Sequence, residues 1–110
     1  MENQKIETLR EKQSRFAGMV ALLIQQAFRM GYEVTLGDAY RSTPEAARLG
    51  FAKSLHNKRL AIDLNLYKDD KWLTKSEDHK KLGEWWEKQG GTWGGRFGDG
   101  NHYSLEHEGI

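Results

Sequence analysis

The chain has 110 residues, of which 37% are hydrophobic, enough for one compact core but hardly for two. Its 17 basic and 16 acidic side chains leave a formal net charge of +1, so no strong field draws it to nucleic acid or to an anionic membrane. It has no cysteine, which excludes disulfides and thiolate metal sites and leaves His, Asp and Glu as possible metal ligands. We therefore predict a single domain over residues 1–110.

Two further observations concern the membrane and the compartment. The longest apolar run, residues 16–24, is much shorter than the roughly 20 residues that span a bilayer, so we predict no membrane insertion. The first residues mix acids with bases and lack the apolar segment and small-residue cleavage site of a signal peptide. We expect a monomer that is made in the cytoplasm.

The first half of the chain predicts a helix, a strand and a second, short helix. Apolar residues recur at steps of three, four or seven before Gly31, which is typical of a long amphipathic helix; they are Ile6, Leu9, Phe16, Val20, Leu23, Ala27 and Met30. Residues 32–40 then alternate, with Tyr32, Val34 and Leu36 on one face of a strand. A capping hydroxyl at Ser42 and a proline at Pro44 predict a short helix that ends at Gly50.

The second half predicts a strand, a helix and a last strand. Residues 61–67 alternate, with Ile62, Leu64 and Leu66 on one face and Asp63 and Asn65 on the other. After a polar turn at residues 68–71, a capping box of Thr74 and Glu77 begins a helix that ends at Gly90 and Gly91; it carries Leu82, Trp85 and Trp86. The last strand places His102 and Ser104 on one face and Tyr103 and Leu105 on the other. The predicted fold class is α+β, with helices packed on one side of a small antiparallel sheet.

Three residues form a candidate metal site on the polar face of that sheet. Asp63 and His102 project from the same kind of strand face, whereas His56 is seven residues before Asp63. That spacing is about 10 Å on a helix and over 20 Å on a strand, so His56 can join Asp63 only if the chain reverses at residues 57–59. Two imidazoles and one carboxylate would leave a tetrahedral zinc ion with one open position, as in catalytic zinc sites.

Two charged residues complete the predicted chemistry. Asp99, three residues before His102, is the candidate acid/base that takes a proton from the attacking water and delivers it to the leaving amine. Arg41, at the end of the first predicted strand, is the candidate cation that stabilises the developing negative oxygen. Arg41 could instead pair with Asp38 or Glu45 on the surface.

These residues resemble those of a known family. Ser54, Leu55 and His56 followed by Ala61, Ile62 and Asp63, with Asp99 and His102 as a second motif, are similar to the motifs of zinc D-alanyl-D-alanine carboxypeptidases of the VanY and VanX type. The stretch from Trp93 to Tyr103 resembles phage endolysins of this group, which cut the L-alanyl-D-glutamate bond of peptidoglycan stem peptides.

The resemblance implies a role for each matching residue. His56, Asp63 and His102 are the implied zinc ligands, Asp99 is the implied catalytic acid/base, and Arg41 and Ser54 are implied to lie on the substrate side. Arg59 stands where many relatives have glycine, so we expect the reversal to adopt a conformation open to a residue with a β-carbon.

The leading hypothesis is therefore a phage or prophage endolysin that hydrolyses peptidoglycan stem peptides at the L-alanyl-D-glutamate bond. It would act on the periplasmic cell wall after release by another agent. The alternatives are a D-alanyl-D-alanine carboxypeptidase or dipeptidase, and a wall-binding module whose zinc is structural. A metal nuclease that uses His56 and His102 is disfavoured by the balanced charge.

The remaining histidines and the tryptophans have less specific interpretations. His79 and His107 lie among charged residues, and we expect both on the solvated surface rather than in the metal site, although assistance from Glu106 or His107 stays open. Trp85 and Trp86 are expected in the core, and an exposed tryptophan near the groove could stack on a sugar.

Overall fold

The structure is a computed structural model that describes residues 6–40 and 55–107. The predicted helix from Ser42 to Gly50 lies outside the described residues, as do Arg41 and Ser54. The described part contains two α-helices and five strands: α1 (Leu9–Arg29), β1 (Glu33–Leu36), β2 (Ala61–Lys68), β3 (Lys71–Leu73), α2 (Lys80–Lys88), β4 (Thr92–Trp93) and β5 (His102–Ser104). No helix within these ranges is long and apolar enough to cross a membrane.

Helix α1 is capped at both ends by residues next to it in the chain. Thr8 Oγ1 accepts a hydrogen bond from the Glu11 N–H at 3.1 Å, and Glu11 Oε1 accepts one from the Thr8 N–H at 3.0 Å, so the two residues form a capping box. The helix ends as predicted at Met30, before Gly31 with a φ of 91°. Ile6 precedes the helix and is 88% exposed, so its predicted place on the buried stripe is wrong.

The sheet is built around β2, the longest strand. Its strand order is β1-β2-β5-β4. Strand β3 pairs with the same edge of β2 as β5 does, but at the C-terminal end of β2, whereas β5 pairs with its N-terminal end. Every pair is antiparallel, as predicted. Strands β3 and β4 were not predicted, because three and two residues are too short to show an alternation.

The strand predicted over residues 32–40 is shorter than expected. Only Glu33–Leu36 forms β1, and Leu36 is 65% exposed instead of lying on the buried face. Beyond the strand, the Gly37 N–H donates to Asp63 O at 2.8 Å and the Asp63 N–H donates to Asp38 O at 2.8 Å. The chain after β1 therefore stays attached to β2 beside Asp63.

Both helices cover the same face of the sheet, which confirms the predicted fold class. Ile62, Leu64 and Leu66 are buried on this face, and they join a core that also includes Phe16, Leu23, Ala27, Leu82, Trp86, Trp93 and Tyr103. Trp86 is fully buried and donates its indole N–H to Ser104 O at 3.0 Å, and Trp85 packs partly buried against the core. The opposite face carries Asp63 and Asn65, as the alternation predicted.

The start of the second helix differs from the prediction. The Lys75 N–H donates to Asp78 Oδ2 at 3.1 Å, and a short 3₁₀ helix, Ser76–His79, precedes α2. The capping box of Thr74 and Glu77 is therefore wrong, because the chain enters this helix one residue later and uses Asp78. Its end at Gly90, with a φ of 95°, is as predicted.

Candidate metal centre

His56 reaches the sheet because the chain reverses immediately after it. A 3₁₀ helix, Leu55–Lys58, is closed by hydrogen bonds from the Arg59 N–H to His56 O at 3.3 Å and from the Leu60 N–H to Leu55 O at 3.0 Å. The predicted reversal at residues 57–59 is thus confirmed. The expectation for Arg59 is wrong, since its φ of 57° lies in the left-handed region that glycine prefers. Its guanidinium lies over the Tyr40 ring, 4.1 Å from the ring centroid.

Asp63 and His102 are brought together by strand register. The two residues are direct partners in the β2–β5 pair, so their side chains project from the same face of the sheet. Gly94 allows the loop before β5 to lie close, because a β-carbon there would come within 2.3 Å of Asp99 O and 2.8 Å of His102 Cβ. His102 is therefore positioned by the pairing of β2 with β5 and by the close approach of the loop that contains Gly94.

The three side chains converge on one point. His56 Nε2 lies 3.3 Å from Asp63 Oδ1, and His102 Nδ1 lies 3.4 Å from the same oxygen. The two imidazole rings are 5.2 Å apart at 68°. One ligand atom from each residue lies within 4.8 Å of the others, and among the described residues this is the group of His, Asp and Glu side chains that could hold a metal ion. We call it the metal cluster.

A carbonyl orients the first of these imidazoles. His56 Nδ1 lies 2.9 Å from Ala39 O, and a ring nitrogen can bond to a carbonyl oxygen only by donating its proton. Nδ1 therefore carries the hydrogen of the neutral ring, and the lone pair is on Nε2, which faces Asp63. Metal-ligating histidines are commonly oriented by such a bond from the other ring nitrogen.

One oxygen of the central carboxylate lacks a hydrogen-bond partner among the described residues. Asp63 Oδ1 is buried and makes no hydrogen bond with them, because its two contacts with ring nitrogens lack hydrogen-bond geometry. Lone pairs of a neutral imidazole and a carboxylate repel each other, whereas a shared cation turns them into ligands. A metal ion would therefore satisfy all three side chains, and the residues present fit one.

Electrostatics keeps the central carboxyl ionised. Burial raises the pKa of Asp63, but the adjacent imidazoles of His102 and His56, in the protonated form that attracts a carboxylate when no metal is bound, lower it by more, so the pKa falls from 3.8 to about 2. The carboxylate is consequently in its metal-binding form throughout the physiological pH range.

Asp99 lies outside the metal cluster, on a groove beside it. Its side chain is exposed, while its backbone is fixed by hydrogen bonds from its N–H to Gly94 O at 2.9 Å and from the His102 N–H to its carbonyl at 3.2 Å. The groove has a volume of about 280 Å³ and lies where β3 and β5 leave a gap along β2; it is lined by Asn65, Trp72, Leu73, Thr74, Lys75, Ser76, His79, Gly98, Asp99, Gly100 and Asn101. None of the three cluster ligands lines the groove, although Asn101 is the immediate neighbour of His102 and Asn65 lies two residues from Asp63 on the same strand face.

The predictions for the other histidines have different outcomes. The surface position predicted for His79 is wrong: it is 2% exposed, its Nδ1 lies 2.7 Å from the Tyr103 hydroxyl, and burial lowers its pKa to about 4. Its spacing of three from Leu82 and seven from Trp86 on one helical face was the available signal. His107 lies 3.4 Å from Lys12 Nζ, and the Glu106 carbonyl accepts a hydrogen bond from the same ammonium, so both residues belong to a contact with α1.

A family model of D-alanyl-D-alanine carboxypeptidases matches residues 50–105. The chain belongs to this family. The D-alanyl-D-alanine carboxypeptidase match spans Ser54, the metal cluster and Asp99, and begins after Arg41. Peptidases of this family are zinc-dependent, in agreement with a His-Asp-His cluster that fits a metal site. A search of curated protein sequences found no match.

Proposed function

We propose that the protein is a zinc peptidase that hydrolyses stem peptides of bacterial peptidoglycan, with zinc held by His56, Asp63 and His102. The observation that carries this proposal is the buried Asp63 Oδ1, which has no hydrogen-bond partner in the described part of the chain and lies 3.3 and 3.4 Å from two imidazole nitrogens. Three ligands suit a catalytic site better than a structural one, since structural zinc sites usually have four protein ligands. This preference supports an enzyme over a wall-binding module.

Different residues of the chain would carry out proton transfer, oxyanion stabilisation and substrate binding during hydrolysis. When bound, zinc supplies Lewis-acid chemistry, lowering the pKa of water and polarising the scissile carbonyl. The Asp99 carboxylate would accept the proton of the attacking water and pass it to the nitrogen of the leaving amine. Arg41 would stabilise the developing oxyanion, and Arg41 and Ser54 would bind substrate, although both lie outside the described residues.

The bond that we propose is the L-alanyl-D-glutamate bond, cut by a phage or prophage endolysin. An aspartate at position 99 and the stretch from Trp93 to Tyr103 support this choice, because both resemble the endolysin branch rather than the carboxypeptidase branch. Such an enzyme would act on the periplasmic wall after release by another agent.

A second candidate is a D-alanyl-D-alanine carboxypeptidase or dipeptidase. The description of the matching family favours it. The two candidates make different products from the same wall, since a carboxypeptidase releases free D-alanine and an endopeptidase exposes a new glutamate amino group.

The test is a digestion of purified peptidoglycan by the zinc-loaded protein, with mass analysis of the released peptides. Wild type should generate alanine carboxyl ends and glutamate amino ends, and a chelator should stop the reaction. Free D-alanine as the main product would favour the second candidate. Binding to the wall without any product would show a binding module instead.

A further inference from the structure

The sheet face that carries the metal cluster continues beyond it. Directly opposed residues in an antiparallel pair project from the same face, and alternate residues of one strand do so as well. Asn65 and Tyr67 therefore share the face of Asp63 along β2. Trp72, the partner of Tyr67 on β3, lies on this face too. We call Asn65, Tyr67 and Trp72 the platform.

Hydrogen bonds hold the middle of the platform in place. Asn65 Nδ2 donates to Thr35 Oγ1 at 3.3 Å, and the Thr35 hydroxyl donates to the Tyr67 hydroxyl at 3.2 Å. Thr35 is the strand partner of Asn65 on β1, so the network crosses from one strand to its neighbour. These polar groups are thus positioned before a substrate arrives.

Trp72 gives the platform an exposed aromatic surface. The side chain is 60% exposed, whereas Trp86 is fully buried and Trp93 is 4% exposed. Trp72 lines the same groove as Asp99 and Asn65, and Asn65 lies two residues from Asp63 on this face of β2. A flat indole that remains open to water in a groove can stack on the apolar face of a sugar ring.

The distance from the metal cluster to the aromatic end of the platform limits what can lie there. Asp63 and Tyr67 are four residues apart on one strand, which is about 13 Å. In a stem peptide, L-alanine is joined through a lactyl group to a muramic acid sugar. Cleavage after L-alanine would place the near edge of that sugar about 7 Å along the chain from the scissile bond, and the ring with its substituents extends about 5 Å farther, so it ends at about 12 Å, close to the aromatic end of the platform. Cleavage between the terminal alanines would place it about 17 Å away or more.

We propose that Trp72, with Tyr67 beside it, forms a subsite for the pyranose ring of the muramic acid sugar, so that the enzyme prefers sugar-bearing stem peptides to free ones. This inference rests on the proposed L-alanyl-D-glutamate cleavage. Trp72 acts as a specificity-determining residue, since it would bind the substrate at a distance from the bond that breaks.

The experiment compares two substrates that differ only in the sugar. The zinc-loaded full chain is given an N-acetylmuramyl stem peptide and the same peptide with an acetyl group in place of the sugar. We expect wild type to show a kcat/KM about tenfold higher for the sugar-bearing substrate. Trp72→Ala should bring the ratio of the two kcat/KM values close to one, mainly through a higher KM for the sugar-bearing substrate.

A matched control uses another exposed aromatic residue. Phe28 on α1 is 54% exposed and belongs to the opposite side of the sheet, so Phe28→Ala should retain the preference. Equal rates of wild type on both substrates would overturn the subsite while leaving the proposed function intact. A loss of rate in Trp72→Ala that is equal for both substrates would overturn it as well, because Trp72 would then contact the peptide.

A binding measurement separates the subsite from the peptidase activity. The disaccharide of N-acetylglucosamine and N-acetylmuramic acid, which has no peptide bond, is titrated into the full chain while the indole N–H signals are followed by NMR. The Trp72 signal is assigned by its absence from the spectrum of Trp72→Ala. A sugar-dependent shift of this signal supports the subsite, even if neither peptide is cleaved and the proposed function fails. The absence of any shift at millimolar sugar contradicts it.

Discussion

His102 lies directly opposite Asp63 in the β2–β5 pair, and its Nδ1 lies 3.4 Å from the buried Oδ1 of that carboxylate. The backbone pairing of the two strands therefore sets the separation of two candidate metal ligands. A site held by strand register is preorganised, so metal binding need not order a flexible loop to bring these two residues together. His56 is added by a reversal that is itself closed by backbone hydrogen bonds.

Zinc should stabilise the folded protein through the metal cluster. A ligand that binds only the native state at 100 times its Kd adds about 2.7 kcal/mol, so thermal unfolding should shift upward with zinc and return with a chelator. His102→Ala should abolish the shift and the bound zinc. His107→Ala, which alters a histidine outside the metal cluster, should retain both. Full zinc binding by His102→Ala would contradict the assignment.

Replacing Asp99 should impair chemistry and spare the metal. Asp99→Asn removes the carboxylate that accepts and delivers the proton, and loss of a general acid/base costs about 100-fold or more in kcat. Zinc content and thermal stability should match wild type, because the side chain is exposed and lies outside the metal cluster. The measurement is peptide cleavage with zinc determined in the same sample. An unchanged kcat would exclude Asp99 as the acid/base.

His79 should make stability depend on pH. Burial lowers its pKa from 6.5 to about 4, so between these values the unfolded chain binds a proton that the folded chain does not. The resulting stabilisation is complete above pH 6.5 and is lost as the pH falls towards 4, with an upper limit of about 3 kcal/mol. Chelated wild type and His79→Gln should be compared by urea unfolding. The variant should show a flatter profile in this range, and parallel profiles would contradict the prediction.

Arg59 should tolerate glycine better than alanine. Its φ of 57° costs a residue with a β-carbon about 1 kcal/mol, while the contact with the Tyr40 ring returns about 0.5–1 kcal/mol. Arg59→Ala loses the ring contact and keeps the strain, whereas Arg59→Gly loses both. On these terms Arg59→Gly should lie within about 0.5 kcal/mol of wild type in free energy of unfolding, and Arg59→Ala should be about 0.5–1 kcal/mol less stable than wild type. Alanine as stable as glycine would show that the backbone is unstrained.

Two helical glycines should respond oppositely to alanine. At Gly83 in α2, a β-carbon would come within 2.2 Å of the Trp93 ring, so Gly83→Ala should destabilise the fold by about 1–3 kcal/mol despite its better helix propensity. At Gly18 in α1, a β-carbon would meet no described atom within 4 Å apart from its chain neighbours and the backbone of its own helix, and Gly18→Ala should stabilise by about 1 kcal/mol. Chemical denaturation measures both, and a stabilising Gly83→Ala would contradict the packing described for Trp93.

The local periodicities of the chain determined its longest elements, α1 and β2, and part of its site. The period of the first helix, the alternation through Asp63 and the positions of Gly31 and Gly90 depend on neighbours a few residues away, and all four appear in the structure. The candidate ligands could also be predicted, because two of them alternate with apolar residues on strands. The resemblance to a known family indicated that these residues follow one another along the chain in the order of the family's motifs.

Tertiary structure alone decided the features that depend on distant partners. Strands β3 and β4 exist only because β2 and β5 pair with them, and the 2.7 Å contact of His79 Nδ1 with the Tyr103 hydroxyl joins residues 24 positions apart in the chain. The groove likewise arises where two strands share one edge of β2, and the missing partner of Asp63 Oδ1 depends on three segments meeting at once. Residue spacing along one segment carries no information about such meetings, since each is set by packing between segments far apart in the chain.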